Sequence, residues 1–321
     1  MNTQREMLVR AKDTTNPDYG CDPRRRDIKD HINKGLINLD KPPGPTSHEV
    51  VAWTKKILNL NKAGHSGTLD PRVTGALPVM LNDATKVVGA LLTAGKEYVG
   101  VMRLHRNVPA EKLTRVFSQF VGSIYQRPPL KSAVKRRIRK RDIYYLEIKE
   151  TDGKDILFKV GCEAGTYIRK LCHDIGKTLG TGAHMSELRR TRAGPFTEAT
   201  ITTLHDLKDA YVFWEEEGIE STLRNVIRPM EDALEFLPKV VIRDSAVDAI
   251  CHGADLAVPG VLSTQKGIHA EDWVAVFTLK GEAVCLGTAK MDSQQMLYAR
   301  KGVVVDTDRV LMEPNIYAKG W

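Results

Sequence analysis

GHSGTLDPRVTGALPVML, residues 64–81, joins a loop to a buried strand. Its first half belongs to a longer segment, NKAGHSGTLDPRVTG (61–75), in which glycines and a proline interrupt any period, so a loop is expected. Its second half, ALPVML (76–81), is an unbroken apolar run and predicts a buried strand. Upstream, GLINLDKPPGPTS (35–47) is a short apolar run ending in a Pro/Gly turn. Thr46 and Glu49 then have capping-box spacing, and Val50, Trp53, Ile57 and Leu58 mark one apolar face of a helix. Downstream, DATKVVGALLTAG (83–95) predicts a helix and KEYVGVMRLH (96–105) alternates like a strand. ILFKVGCEAGTY (156–167) runs as a strand into a turn. YIRKLCHDIGKTLG (167–180) follows as a helix, with Ile168, Leu171, Ile175 and Leu179 facing the core. Hairpins are as frequent as crossovers, which points to α+β with a mixed, largely antiparallel sheet.

The chain has 321 residues, long for a single core, so two domains are expected. Residues 1–34 are polar and basic without periodicity and form an extension. Residues 35–236 carry the mixed pattern just described. Near 236–238 the helical EDALEF gives way to LPKVVI. Beyond it, a short helix (245–254) and the strands DLAVPGV, WVAVFTL, AVCLGTAKM and GVVVDTDRVLM predict a small β-barrel over 237–313, with a tail at 314–321.

Hydrophobic residues make up 42% and charged residues 27%, the balance of a globular protein. No apolar run is long enough for a membrane span, and the first residues show no apolar signal core. Five scattered cysteines without a C-x-x-C pair indicate neither a disulfide framework nor a zinc ribbon. The expected setting is the cytoplasm. Net charge is +8, unevenly placed. Residues 237–321 hold nine Lys/Arg against ten Asp/Glu, whereas residues 1–236 hold 39 against 30. KSAVKRRIRKR (131–141) contains seven basic groups and no acid, set between ordered segments, a placement suited to phosphate contacts.

Two familiar chemistries fail on the residues. Gly64, His65 and Ser66 begin a G-x-S-x-G pattern, but its fifth position is Thr68 and Pro71 follows where a helix should start. His31, His48, His65 and His105 lack i,i+4 partners, and no H-E-x-x-H occurs, so no metal site is expected. Taken alone, Asp70 before Pro71 would be an ordinary turn residue.

The order LDKPPGPTS (39–47), GHSGTLDPRVTGALPVML (64–81), KEYVG (96–100) and GTYIRKLCHDIG (165–176) changes that reading. The chain closely resembles the pseudouridine synthases that act on the TΨC loop of tRNA, in particular their archaeal and eukaryotic dyskerin-type branch, from about residue 35 to the C-terminus. The resemblance implies that Asp70 is the obligatory catalytic residue. It further implies that Tyr98, Arg169, His65 and Leu188 contact the target nucleotide. The run 131–141 falls where the family carries an RNA-gripping loop, making Lys135, Arg136, Arg137, Arg139 and Lys140 phosphate-contact candidates. HGADLAVPGV through GTAKM (252–291) resembles a PUA domain, with Gly253 and Gly260 expected to let the RNA backbone approach and the extension 1–34 packing on it. One departure is Glu271, where the family usually has glycine.

The residue types suit the chemistry. Isomerisation breaks N1–C1′ and joins C1′ to C5 of the same uracil, so no redox change occurs and no cofactor is expected. A carboxylate can act as nucleophile toward the sugar or as a base on it. Arg169 beside it would favour the charged form. Tyr98 offers a face for a base that must be flipped out of its stack. Expected partners are tRNA and/or an H/ACA guide RNA with its rRNA target, and small accessory proteins of that ribonucleoprotein. The competing functions are a non-catalytic RNA-binding scaffold and a glycoside or nucleoside hydrolase using Asp70. The hydrolase would need a second opposed carboxylate, and none stands out.

Overall fold

The computed structural model describes residues 5–128, 135 and 137–319. Two compact units arise, one from 37–79 and 88–218, the other from 1–36, 80–87 and 219–321.

The first unit is built on the sheet order Gly35–Lys41, Thr74–Leu81, Ala183–Ala193, Lys96–Leu104, Asp155–Cys162, Arg139–Asp152, Gly122–Gln126. Thr74–Leu81 and Ala183–Ala193 pair in parallel, while Lys96–Leu104 pairs antiparallel with both its neighbours. The sheet is therefore mixed and largely antiparallel, as the hairpin spacing implies. Helix Ile168–Leu179 buries Ile168, Leu171, Ile175 and Leu179. They join Met102, Phe158, Val160 and Phe117 in one apolar cluster. The helix stops at Gly180, whose φ of +76° is the left-handed conformation a glycine takes cheaply.

Some local expectations change. Helix Ser47–Ile57 has the full capping box from Thr46 and Glu49, but its buried face is Ser47, Val50, Val51 and Thr54. Trp53 points outward and is 44% exposed. The stripe turned because Ser47 and Thr54 satisfy their hydroxyls internally and are buried for that reason. The 61–75 loop contains a short strand, Ala63–His65, and the 83–95 helix divides into a 3₁₀ segment, Asn82–Val87, and helix Val88–Thr93.

The second unit holds a seven-stranded sheet in the order Met7–Val9, Val261–Gln265, Lys239–Ile242, Trp273–Phe277, Ala283–Ala289, Val303–Val310, Leu256–Ala257. Val240, Ile242, Val274, Val276, Val284 and Val304 fill its core with Met296. The N-terminal segment adds a strand, Met7 pairing with Gln265 and Val9 with Ser263. Three residues cannot show periodicity, so this strand is invisible until its partner is in place. Lys280 ties the same segment down by donating to the carbonyls of Asn16 and Tyr19. Arg26 and Glu231 form a buried two-point ion pair at 3.0 and 2.6 Å.

Candidate active site

Asp70 stands on the loop between strands Ala63–His65 and Thr74–Leu81, and that loop is held from below at several points. Gly67 has φ +126°, a backbone state L side chains rarely adopt, and its N–H donates to His65 Nδ1 at 3.2 Å. The buried Ser47 hydroxyl sits against Leu69, accepting from its N–H at 2.9 Å and donating to its carbonyl at 3.1 Å. Lys41, fully buried, donates to the carbonyls of Pro42, Pro71 and Val73 at 2.9, 2.9 and 3.0 Å. Burial pushes its ammonium down from the usual lysine value, and the Asp70 carboxylate counters. The Val73 N–H closes the turn on the Asp70 carbonyl at 2.9 Å. A half-exposed carboxylate thus rests on a rigid base, the arrangement a reacting group needs.

Arg169, in the first turn of helix Ile168–Leu179, forms an ion pair with Asp70. Their side chains stay 58% and 53% exposed, so the pair is open to a substrate. The buried Gln126 fixes the helix start by exchanging two hydrogen bonds with the Tyr167 backbone, at 2.9 and 3.1 Å. Tyr98 and Leu188 lie on neighbouring strands, both half-buried on the apolar cluster. Leu188 lies opposite Gly100, where a Cβ would come within 2.8 Å of Leu188 Cδ1. Burial raises the Tyr98 phenol, while the adjacent Arg190 works in the other direction. His65 is half-buried, its ring edge-on to His48 at 5.2 Å, and burial lowers its affinity for a proton.

The structure therefore joins Asp70 to Arg169 directly, and links His65 to the same loop through Gly67. Lys135 and Arg137 are exposed, Lys140 likewise, and Arg139 opens strand Arg139–Asp152; Arg136 lies outside the described residues. Gly253 is exposed with φ +93° and open space beside it. Gly260 is different. It is buried, with Leu256 Cδ1 at 2.9 Å and Ala246 Cβ at 3.0 Å from a would-be Cβ, so glycine there serves packing and its expected RNA contact is withdrawn. A cleft of about 720 Å³ opens elsewhere in this unit, lined by Tyr125, Arg127, Lys170 and Lys177, and Asp70 is not among its walls. Among the described residues no group of three or more His, Cys, Asp or Glu could hold a metal, and no helix is long and apolar enough to cross a membrane.

Residues 55–168 match the N-terminal domain of TruB family pseudouridylate synthases, and 169–235 match the C-terminal domain of tRNA pseudouridylate synthase B. A probable tRNA pseudouridine synthase B from Methanopyrus kandleri is 63% identical over 317 residues, 99% of this chain and 94% of that protein. The chain belongs to the TruB family of pseudouridylate synthases. Its activity is the isomerisation of uridine to pseudouridine. The PUA domain matches at 238–311 and the DKCLD domain at 1–51. The Pyrococcus furiosus probable tRNA pseudouridine synthase B is 60% identical over 320 residues, 99% of this chain and 94% of that one. Among solved structures, a Cbf5-Nop10-Gar1 complex aligns with TM-score 0.94 and 60% identity, covering 98% of this chain and 97% of that one. An H/ACA ribonucleoprotein bound to a substrate RNA containing 2′-deoxyuridine aligns with TM-score 0.93 and 57% identity, covering 99% and 98%.

Lys41, Ser47 and Arg190 escaped the sequence reading as functional residues. Lys41 and Ser47 lie inside the quoted LDKPPGPTS string, but apart from the Pro42 carbonyl their partners are backbone groups 22 to 32 residues onward, which no spacing rule reveals. Arg190 follows Leu188 and Arg189 with nothing in the sequence to mark it as buried.

Proposed function

We propose that the chain modifies uridine in the TΨC loop of tRNA and, as the catalytic subunit of a box H/ACA ribonucleoprotein, guide-selected uridines in rRNA. The observation that carries the chemistry is the Asp70–Arg169 pair on a loop braced by Lys41 and Ser47. In this reading Asp70 is the catalytic carboxylate, attacking the sugar or serving as a base on it while C1′ moves from N1 to C5. Arg169 holds that carboxylate, and Tyr98 and Leu188 face the flipped uracil. His65 holds the displaced RNA, and Gly253 meets the guide. Lys135, Arg136, Arg137, Arg139 and Lys140 grip phosphates. The guided mode is supported by the likeness to chains solved with Nop10 and Gar1 and in an H/ACA particle with substrate RNA. Small accessory proteins of that kind are the proposed partners, and the cytoplasm the proposed location. The working division is an extension over 1–34, a catalytic domain over 35–236, an RNA-binding PUA domain over 237–313 and a tail over 314–321.

The test is an assay on uridine-containing RNA for a product of unchanged mass that resists N-glycosidic cleavage. Asp70→Asn keeps shape and hydrogen bonding but removes charge, so turnover should vanish with RNA affinity little altered. Retention of a tenth of wild-type turnover, about 1.4 kcal/mol of barrier, would overturn the assignment. Guide RNA co-purifying with the protein supports the guided mode, and its absence favours the tRNA enzyme.

A further inference from the structure

Arg190 is a buried cation, 1% exposed, with no carboxylate among its hydrogen-bond partners in the described residues. Nε donates to the Ala76 carbonyl at 2.6 Å, and a terminal nitrogen donates to the Gly67 carbonyl at 3.2 Å. Across the sheet it lies directly opposite Tyr98, and its positive charge works against the burial that raises the Tyr98 phenol. Its backbone pairs with Gly75 on the other side, so closely that a Cβ on Gly75 would fall 2.3 Å from the Arg190 carbonyl. One side chain therefore bonds the strand after the Asp70 loop and the glycine that turns that loop, from a backbone position directly opposite the tyrosine of the neighbouring strand. Burying a charge without a counter-charge is costly, and an apolar residue would serve a mere core position better. A guanidinium has its donors in a fixed fork, which lets it set the distance between the Ala76 and Gly67 carbonyls from one place on the strand facing Tyr98.

We propose that Arg190 is a positioning residue for the isomerisation, locking the Tyr98 ring and the Asp70 loop at one spacing. The inference rests on the assignment of Asp70 and Tyr98 above. Loss of the lock should leave RNA bound but misplace the reacting groups, and a misplacement of about 1 Å costs on the order of 100-fold in rate.

The experiment uses the full chain with an unmodified tRNA transcript under single-turnover conditions at saturating enzyme, where the rate constant does not depend on how much protein is folded. Arg190→Gln should lower that rate constant about 100-fold with RNA affinity within a few-fold of wild type. Arg190→Lys, which keeps the charge and can reach one carbonyl, should recover part of the loss. Tyr98→Phe removes the hydroxyl on which the guanidinium charge acts, so its loss and that of Arg190→Gln should not add in the double variant. Full additivity, or an Arg190→Gln rate constant equal to wild type, overturns the proposal. Hydrogen exchange decides the point independently of activity. Amides of Gly67 and Leu69 should exchange faster in Arg190→Gln than in Leu171→Ala, a core control in the same unit. Equal exchange in the two variants makes Arg190 a plain core residue. A wild type that leaves the transcript unmodified, with the exchange difference intact, refutes the tRNA reading and not the lock.

Discussion

At Asp70 a single half-exposed carboxylate stands on groups that are themselves out of water. Lys41 is the heaviest of these supports, its three N–H donors all on backbone carbonyls. Lys41→Met fills the space but leaves the Pro42 and Val73 carbonyls without this donor, each costing about 1–3 kcal/mol when buried, while Pro71 keeps the Gly44 N–H at 2.9 Å. The expected result is a loss of at least about 2 kcal/mol in a denaturant titration, together with a fall in modification rate larger than the fall in RNA affinity. A variant as stable as wild type would show that the carbonyls find other donors. Histidine supplies a second prediction at this scale. His31 is 3% exposed, with Nε2 on the Ile227 carbonyl at 2.8 Å, and burial lowers its proton affinity below the ordinary 6.5; His65 is lowered likewise. The unfolded chain then takes up these protons first. Stability is fully present above about pH 6.5 and declines as pH falls from there toward the depressed folded values. Thermal melts at pH 7.5 and 5.5 should show a smaller drop for His31→Gln than for wild type. An equal drop would place the acid sensitivity elsewhere.

Among elements, helix Ser47–Ile57 shows how local rules reach the site. Thr46 and Glu49 close its capping box, which aims the next residue, Ser47, at Leu69. Thr46→Ala should cost about 1 kcal/mol of stability. Ser47→Ala should act differently, because it leaves the buried N–H and carbonyl of Leu69 without their shared partner. Its signature is a rate loss exceeding that of Thr46→Ala, measured under the same single-turnover conditions. Equal rates would mean that the loop holds its shape without the hydroxyl. The capping box was legible because it is a contact between neighbours in sequence, and helix Ile168–Leu179 was legible because its apolar spacing is regular. The outward turn of Trp53 was not, since it depends on Ser47 and Thr54 finding internal acceptors. Strand Met7–Val9 was not either, because its only evidence is a partner more than 250 residues away. For the site, the Asp70–Arg169 pairing followed from the family resemblance. Arg190 did not, because a buried arginine and a surface arginine are the same letter until the sheet is assembled.

Over the whole molecule, charge separates the two ends of the chain. Residues 1–236 carry all the excess positive charge, and residues 237–321 are nearly neutral. Phosphate attraction should therefore come mainly from the first part, and binding by the last part should rest on shape and base edges. Gly253→Glu is a poor probe of that last part, because φ +93° strains any side chain there. Salt dependence is cleaner. Lys135, Arg137 and Lys140 are exposed, and none of the three forms a salt bridge among the described residues, so their charges are available to RNA. Each phosphate neutralised releases a counterion and adds to the slope of log affinity against log salt, about 0.9 per contact on a duplex and about 0.7 on a single strand. Replacing Arg136, Arg137 and Arg139 with Ala should flatten that slope by roughly 2–3, with affinity falling most at low salt. Removing three charges from a solvated face without phosphate contacts would leave the slope where it was. A control triple of Lys280, Lys290 and Lys301, in the near-neutral part, should change it by less than one contact. Equal changes in the two triples would mean that RNA senses only net charge, and the run at 131–141 would lose its special standing.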